Sequence, residues 1–165
     1  MSYKNTTAKR FMKILFAVVV GAAATTVGPI SAANATTGEC DKTWVPDYYQ
    51  EVGGAGIYLG NARYVKLMNG GAFNYSYAQI SPSDSGYTVW VDRSLQGMPS
   101  SLPMFPTTEQ VQANGGWKQC GPFYSSSSSN LVMNWNTDQQ RHYAVRACAR
   151  NALGSYCGNW YIDRS

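Results

Sequence analysis

The C-terminal stretch constrains this chain most. Residues 143–163 read as two short strands, YAVRACAR and YCGNWYID, joined at Asn151-Ala152-Leu153-Gly154, with one cysteine on each. A turn centred between Ala152 and Leu153 sets Cys148 opposite Cys157, where a cross-strand disulfide can form. The same register sets Val145 opposite Trp160, Tyr143 opposite Ile162 and Ala149 opposite Tyr156 on an apolar face. It sets Arg146 opposite Asn159 and His142 opposite Asp163 on a polar face. Side chains alternate along a strand, so a single register supplies both faces and the bridge together. The apolar face is expected to close a core, and the polar side to be a contact surface second.

The first 35 residues stand apart from the fold. Lys4, Lys9, Arg10 and Lys13 precede an apolar run over residues 14–20, and Ala33-Asn34-Ala35 supplies an A-x-A cleavage signal. This is the pattern of a secretory signal peptide over residues 1–35. The apolar run is far short of the roughly 20 residues that a membrane span needs, so no membrane insertion is expected after cleavage. The whole chain has 13 Lys and Arg against 9 Asp and Glu, a net charge of +4. Four of those bases leave with the signal segment and no acid does, so residues 36–165 are formally neutral. Without a basic run they lack the footprint of a nucleic-acid binder.

Residues 36–165 suffice for one secreted domain. Cys40, Cys120, Cys148 and Cys157 allow three pairings into two disulfides. The hairpin register favours Cys148–Cys157, which leaves Cys40–Cys120. Few charges, many Gly and Ser, and abundant Tyr and Trp point to an all-β fold. Residues 57–68, 72–80, 87–92 and 131–135 read as alternating strands and 117–124 as a strand carrying Cys120, and turn signals such as Asn69-Gly70-Gly71 separate them. The expected architecture is an antiparallel β-sandwich, or alternatively a small β-barrel, with seven or eight strands and no helix. Phe73, Tyr75 and Tyr77 are expected on one strand face. Pro46 argues against a central strand, and the serine run 125–129 reads as an exposed loop.

Chemistry is sparse in this pattern. With all four cysteines paired, none is a nucleophile. A single histidine, His142, offers one imidazole base, and no serine stands in a nucleophile-elbow context. A solvent-side contact between His142 and Asp163 is the plainer expectation. Asp92 beside Trp90 and Glu51 near Tyr49 are the only suggestive carboxylates, and the acids are too scattered for a calcium cage. No metal, cofactor or enzymatic activity is therefore expected.

Two features carry more. Tyr75, Tyr77, Trp90 and Trp135 lie on strands and would make a sugar-stacking platform if their rings were exposed and coplanar; core packing is the plainer reading. Residues 93–115 form a long, Pro-interrupted stretch in which Met98, Leu102, Met104 and Phe105 would suit an inhibitory loop, or simply cover one end of the sandwich.

Trp117-x-x-Cys120-Gly121-Pro122-Phe123, Arg146-Ala147-Cys148, Cys157-x-x-Trp160 and the Val89-Trp90-Val91-Asp92-Arg93-Ser94 run resemble small secreted proteins of actinobacteria. The resemblance spans residues 87–161 and implies an exported, two-disulfide β-domain, with no catalytic residue carried over. The resulting expectation is a monomeric extracellular binding protein whose partner is a glycan or cell-wall component, or alternatively a protein: an extracellular protease or glycosidase that it inhibits.

Overall fold

The computed structural model describes residues 40, 44–45, 47–72, 74–122 and 127–164. The signal segment 1–35, Pro46, Phe73 and the first two serines of the serine run lie outside the described residues. The strands are β1 (Tyr49–Glu51), β2 (Ile57–Gly60), β3 (Arg63–Gly70), β4 (Tyr75–Ser81), β5 (Thr88–Ser94), β6 (Trp117–Cys120), β7 (Val132–Met133), β8 (Trp135–Asn136), β9 (Arg141–His142), β10 (Ala144–Asn151), β11 (Gly154–Cys157) and β12 (Tyr161–Ile162). A helix, α1 (Thr108–Ala113), interrupts them. The first sheet has the order β1-β3-β4-β7, with β2 also on β3. The second runs β11-β10-β5-β6, with β12 also on β10, and β8–β9 form a separate ribbon. All pairs are antiparallel, and the sheets pack as a sandwich, not a closed barrel.

Period-two alternation builds the core. Val65, Leu67, Ala78 and Ile80 of the first sheet belong to one cluster with Val89, Val91, Val145, Ala147 and Ala149 of the second. Both predicted disulfides are present, and the Cys40–Cys120 bridge is buried in this same cluster.

A second, smaller core lies on the outer face of the second sheet. Residues 95–116 fold over Ala144, Trp160, Ile162 and Trp117, placing Met98, Leu102 and Val111 against them. The segment is tied by Met98 N–H to the His142 carbonyl at 2.8 Å, Ile162 N–H to the Met104 carbonyl at 2.8 Å, and Arg164 to the Pro99 and Leu102 carbonyls. It contains the helix that the turn-like composition hid. Thr107 caps it, its hydroxyl accepting from Gln110 N–H while the Gln110 side chain accepts from Thr107 N–H. That reciprocal pair is a capping box, legible as Thr-x-x-Gln.

Three local expectations need correction. The hairpin keeps the expected register from Cys148–Cys157 to Asn151–Gly154, but then slips by one, pairing Ala144 with Ile162 and Val145 with Tyr161. Gly158, whose backbone passes so close to the Ala55 carbonyl that no Cβ fits, still donates to the Ala147 carbonyl in the first register, so the slip falls between Gly158 and Tyr161. A slip of one exchanges faces. Val145 therefore stays in the central core while Trp160 and Ile162 join the outer one, and Arg146 reaches Asp92 rather than Asn159. Next, Asn69 and Gly70 are not the turn, because pairing with Gln50 and Tyr49 extends β3 through them. Last, Ser127–Ser129 are not a free loop. The Ser127 carbonyl accepts from Ile80 N–H, and Ser129 N–H donates to the Ala78 carbonyl, so main-chain pairing holds the strip against β4 whatever its side chains.

Candidate functional site

With one face of the second sheet under residues 95–116, the outer face of the first sheet is the open one among the described residues. Alternation turns Tyr64, Lys66 and Met68 of β3 outward, beside Tyr75, Tyr77 and Gln79 of β4, Tyr49 and Glu51 of β1, and Tyr58 of β2. Rings gather at its two ends. Tyr58 and Tyr64 meet at 4.5 Å between centroids, at 39°. At the other end Trp44 lies 5.1 Å from Tyr49 and 5.4 Å from Tyr77. Trp44 is 56% exposed and Tyr58 78%. Between the clusters stand Lys66 and Glu51, 3.8 Å apart, with Gln79 across the ladder from Lys66. From Tyr64 to Met68, which pairs with Tyr77, the face runs ~13 Å at 3.4 Å per residue. Burial and the nearby Glu51 carboxylate both raise the Tyr64 phenol.

Around the β1 edge the face turns into a groove of about 420 Å³. Tyr48, Gln50 and Glu51 line one wall, and Met104, Phe105 and Tyr161 the other. Behind it runs a buried polar chain. Asn134 donates to Ser76 Oγ at 2.9 Å, Ser76 donates to Asn69 Oδ1 at 2.8 Å, and Asn69 donates to Asp163 Oδ2 at 2.7 Å. Burial, with Asp163 alongside, pushes Tyr161 up to about 12; burial, with Asp47 alongside, does the same to Tyr49. A raised phenol adds stability that is intact below the ordinary value of 10 and is lost as pH rises through the folded value. The domain is thus expected to weaken between pH 10 and about 12. A near-ultraviolet titration should show the late phenol ionisations, and they should become two fewer in a Tyr49→Phe/Tyr161→Phe double variant. If that variant titrates like the parent, the assignment is wrong.

The densest electrostatics lie elsewhere, under residues 95–116. Arg146 donates twice to Asp92 Oδ2, at 3.0 and 2.8 Å, while its guanidinium lies 4.9 Å from the Trp117 ring and 4.4 Å from that of Trp160. Trp90 donates its indole N–H to Asp92 Oδ1 at 2.8 Å. Burial raises the Asp92 carboxyl, and Arg146 and Trp90 pull it back only in part. Asp92 is 4% exposed, so this cluster holds the fold rather than meeting a ligand. Asp92 also groups with Cys148 and Cys157, whose sulfurs are spent on the disulfide and offer no thiolate.

The expected platform of Tyr75, Tyr77, Trp90 and Trp135 does not assemble. Trp90 is 3% exposed beneath the Arg150 guanidinium, and Trp135 is on the β8–β9 ribbon, its ring 4.0 Å from that of His142. Tyr75 and Tyr77 do share the open face, with Tyr77 buried by Trp44 and Tyr49. The proposed loop divides as well. Met98 is buried and Leu102 half-buried, whereas Met104 and Phe105 stand exposed at the groove. β9 pairs His142 with Trp135; burial lowers its imidazole, while the Asp163 carboxylate lies near enough to pull it the other way. Asp92 and Glu51 are on different sheets, so they form no carboxylate pair. The residues overlooked were Trp44, Tyr48, Tyr58 and Tyr64. A turn at Gly60-Asn61-Ala62 would have paired Tyr58 with Tyr64.

The chain matches no family model, no curated protein and no solved structure.

Proposed function

We propose that this protein is an exported, non-enzymatic binding domain that holds a glycan on the open face of its first sheet. One observation carries the reading: two ring clusters at the ends of that face, each presenting one exposed ring, Trp44 or Tyr58, with Lys66, Glu51 and Gln79 between them as hydrogen-bonding groups. Ring faces offer apolar contact to the C–H faces of sugars, and the polar middle suits hydroxyls. The rings meet at 36° to 76° rather than lying coplanar, which favours a soluble chain touching both ends over a flat crystalline surface. Two disulfides fit an oxidising compartment outside the cytosol, and residues 1–35 would direct the export. Among the described residues no helix is long and apolar enough to cross a membrane.

Affinity electrophoresis of residues 36–165 in gels cast with soluble polysaccharides tests this. Retardation by at least one polysaccharide is expected, weakened about tenfold in Tyr58→Ala and in Trp44→Ala, with melting nearly unchanged. Retardation of both variants equal to the parent's, or none with any polysaccharide, would sink it. A second reading rests on Met104 and Phe105, which project from an otherwise tied segment as an inhibitor's contact residues do. A panel of extracellular proteases and glycosidases tests it, and full activity across the panel would exclude it.

A further inference from the structure

The groove at β1 holds an unused strand edge. In an antiparallel pair, alternate residues turn their main-chain groups toward the partner and the others turn theirs away. The Tyr48 carbonyl accepts from Gly71 N–H, and Val52 N–H donates to the Leu67 carbonyl. Those contacts fix the phase: Tyr48, Gln50 and Val52 address β3, while Tyr49 and Glu51 point their N–H and C=O groups outward. Among the described residues nothing pairs with these outward groups. They repeat at a strand's own period along the wall of a groove whose other wall carries the exposed Met104 and Phe105.

We infer that the groove binds an extended peptide segment of a partner protein, which adds as a strand to β1. Its main chain bonds to Tyr49 and Glu51, and every second side chain turns onto Phe105, Met104 and Tyr48. The lining includes the acid Glu51 and no Lys or Arg, so the segment is neutral or basic and alternates apolar residues. The site lies around the edge from the open face and shares β1 with it, so this is a second activity beside glycan binding, told apart by Tyr58 and Phe105, which belong to one site each. A second copy of the chain is the rival occupant.

A displayed random-peptide library panned on the full domain tests it. Alternating apolar sequences with Lys or Arg should be enriched, and a selected peptide should slow amide exchange at Tyr49 and Glu51. Phe105→Ala should weaken binding about tenfold. Methylating alternate amide nitrogens of the peptide should abolish binding, which a side-chain-only contact would not require. Glu51→Pro removes one outward donor without touching the ladder to β3 and should also block the peptide; if that variant misfolds, the methylated peptide still decides. Tyr58→Ala should bind peptide normally, separating this site from the glycan face. No enrichment over the Phe105→Ala domain, undiminished binding of the methylated peptide, or protection of other amides instead would each overturn the inference. Concentration-dependent protection of Tyr49 and Glu51 without peptide would assign the edge to a second copy and overturn it too.

Discussion

Arg146→Ala is expected to cost about 3–5 kcal/mol, the largest effect of any single substitution considered, because it strands a buried carboxylate. Asp92 would keep the Trp90 indole N–H and lose both guanidinium bonds in a site that water scarcely reaches. Trp117 and Trp160 would lose the cation between their rings, and residues 95–116 pack on that same layer. Urea unfolding measures the loss. Acidification should narrow it, since a protonated Asp92 needs no cation and burial already raises that carboxyl. An Asp92→Leu/Arg146→Met double variant should recover most of the stability, as apolar replacements of buried pairs often do. A single variant less than about 1 kcal/mol weaker than the parent would show that the pair is solvated in solution.

The second large effect concerns the bridges and rests on their unequal loops. Cys40–Cys120 spans 80 residues and Cys148–Cys157 spans 9. In the chain-entropy account, removing the first as a Cys40→Ser/Cys120→Ser pair costs about 4–5 kcal/mol, and removing the second as a Cys148→Ser/Cys157→Ser pair about 2–3 kcal/mol. Both C40S/C120S sulfurs also leave the central core, which adds in the same direction. Melting of the two double variants side by side decides the order. If the short-loop variant is the weaker one, packing around Cys148 outweighs loop entropy.

What could be read from the chain was whatever depends on near neighbours. Val65 and Leu67, Val89 and Val91, and the step from Cys148 to Cys157 follow from alternation and a turn four residues long. What could not be read depends on distant segments. The slip between Gly158 and Tyr161 has no turn residue to mark it, and it decides which core receives Trp160. Trp90 and Tyr58 are equally aromatic strand residues, yet Trp90 is buried, bonded to Asp92 and beneath Arg150, while Tyr58 stands open, and Arg150 reaches Trp90 only through the fold. The serine strip misled for another reason: its side chains are polar, but its place comes from main-chain groups that composition does not report. The capping box at Thr107 was the exception, a local signal hidden among prolines.

The two rims of the first sheet differ, and the difference bears on how copies of this domain can assemble. Its far rim is broken into the Ser127–Ser129 strip and the two-residue β7, where Arg93 takes the Met133 carbonyl. Its near rim is made of the three-residue β1 and, farther along β3, of β2. A molecule that meets its twin through β1 uses the same edge on both sides, in a two-fold arrangement that is closed on formation. Such an encounter spends β1 of both copies at once, so that edge stops at a pair instead of templating a further strand.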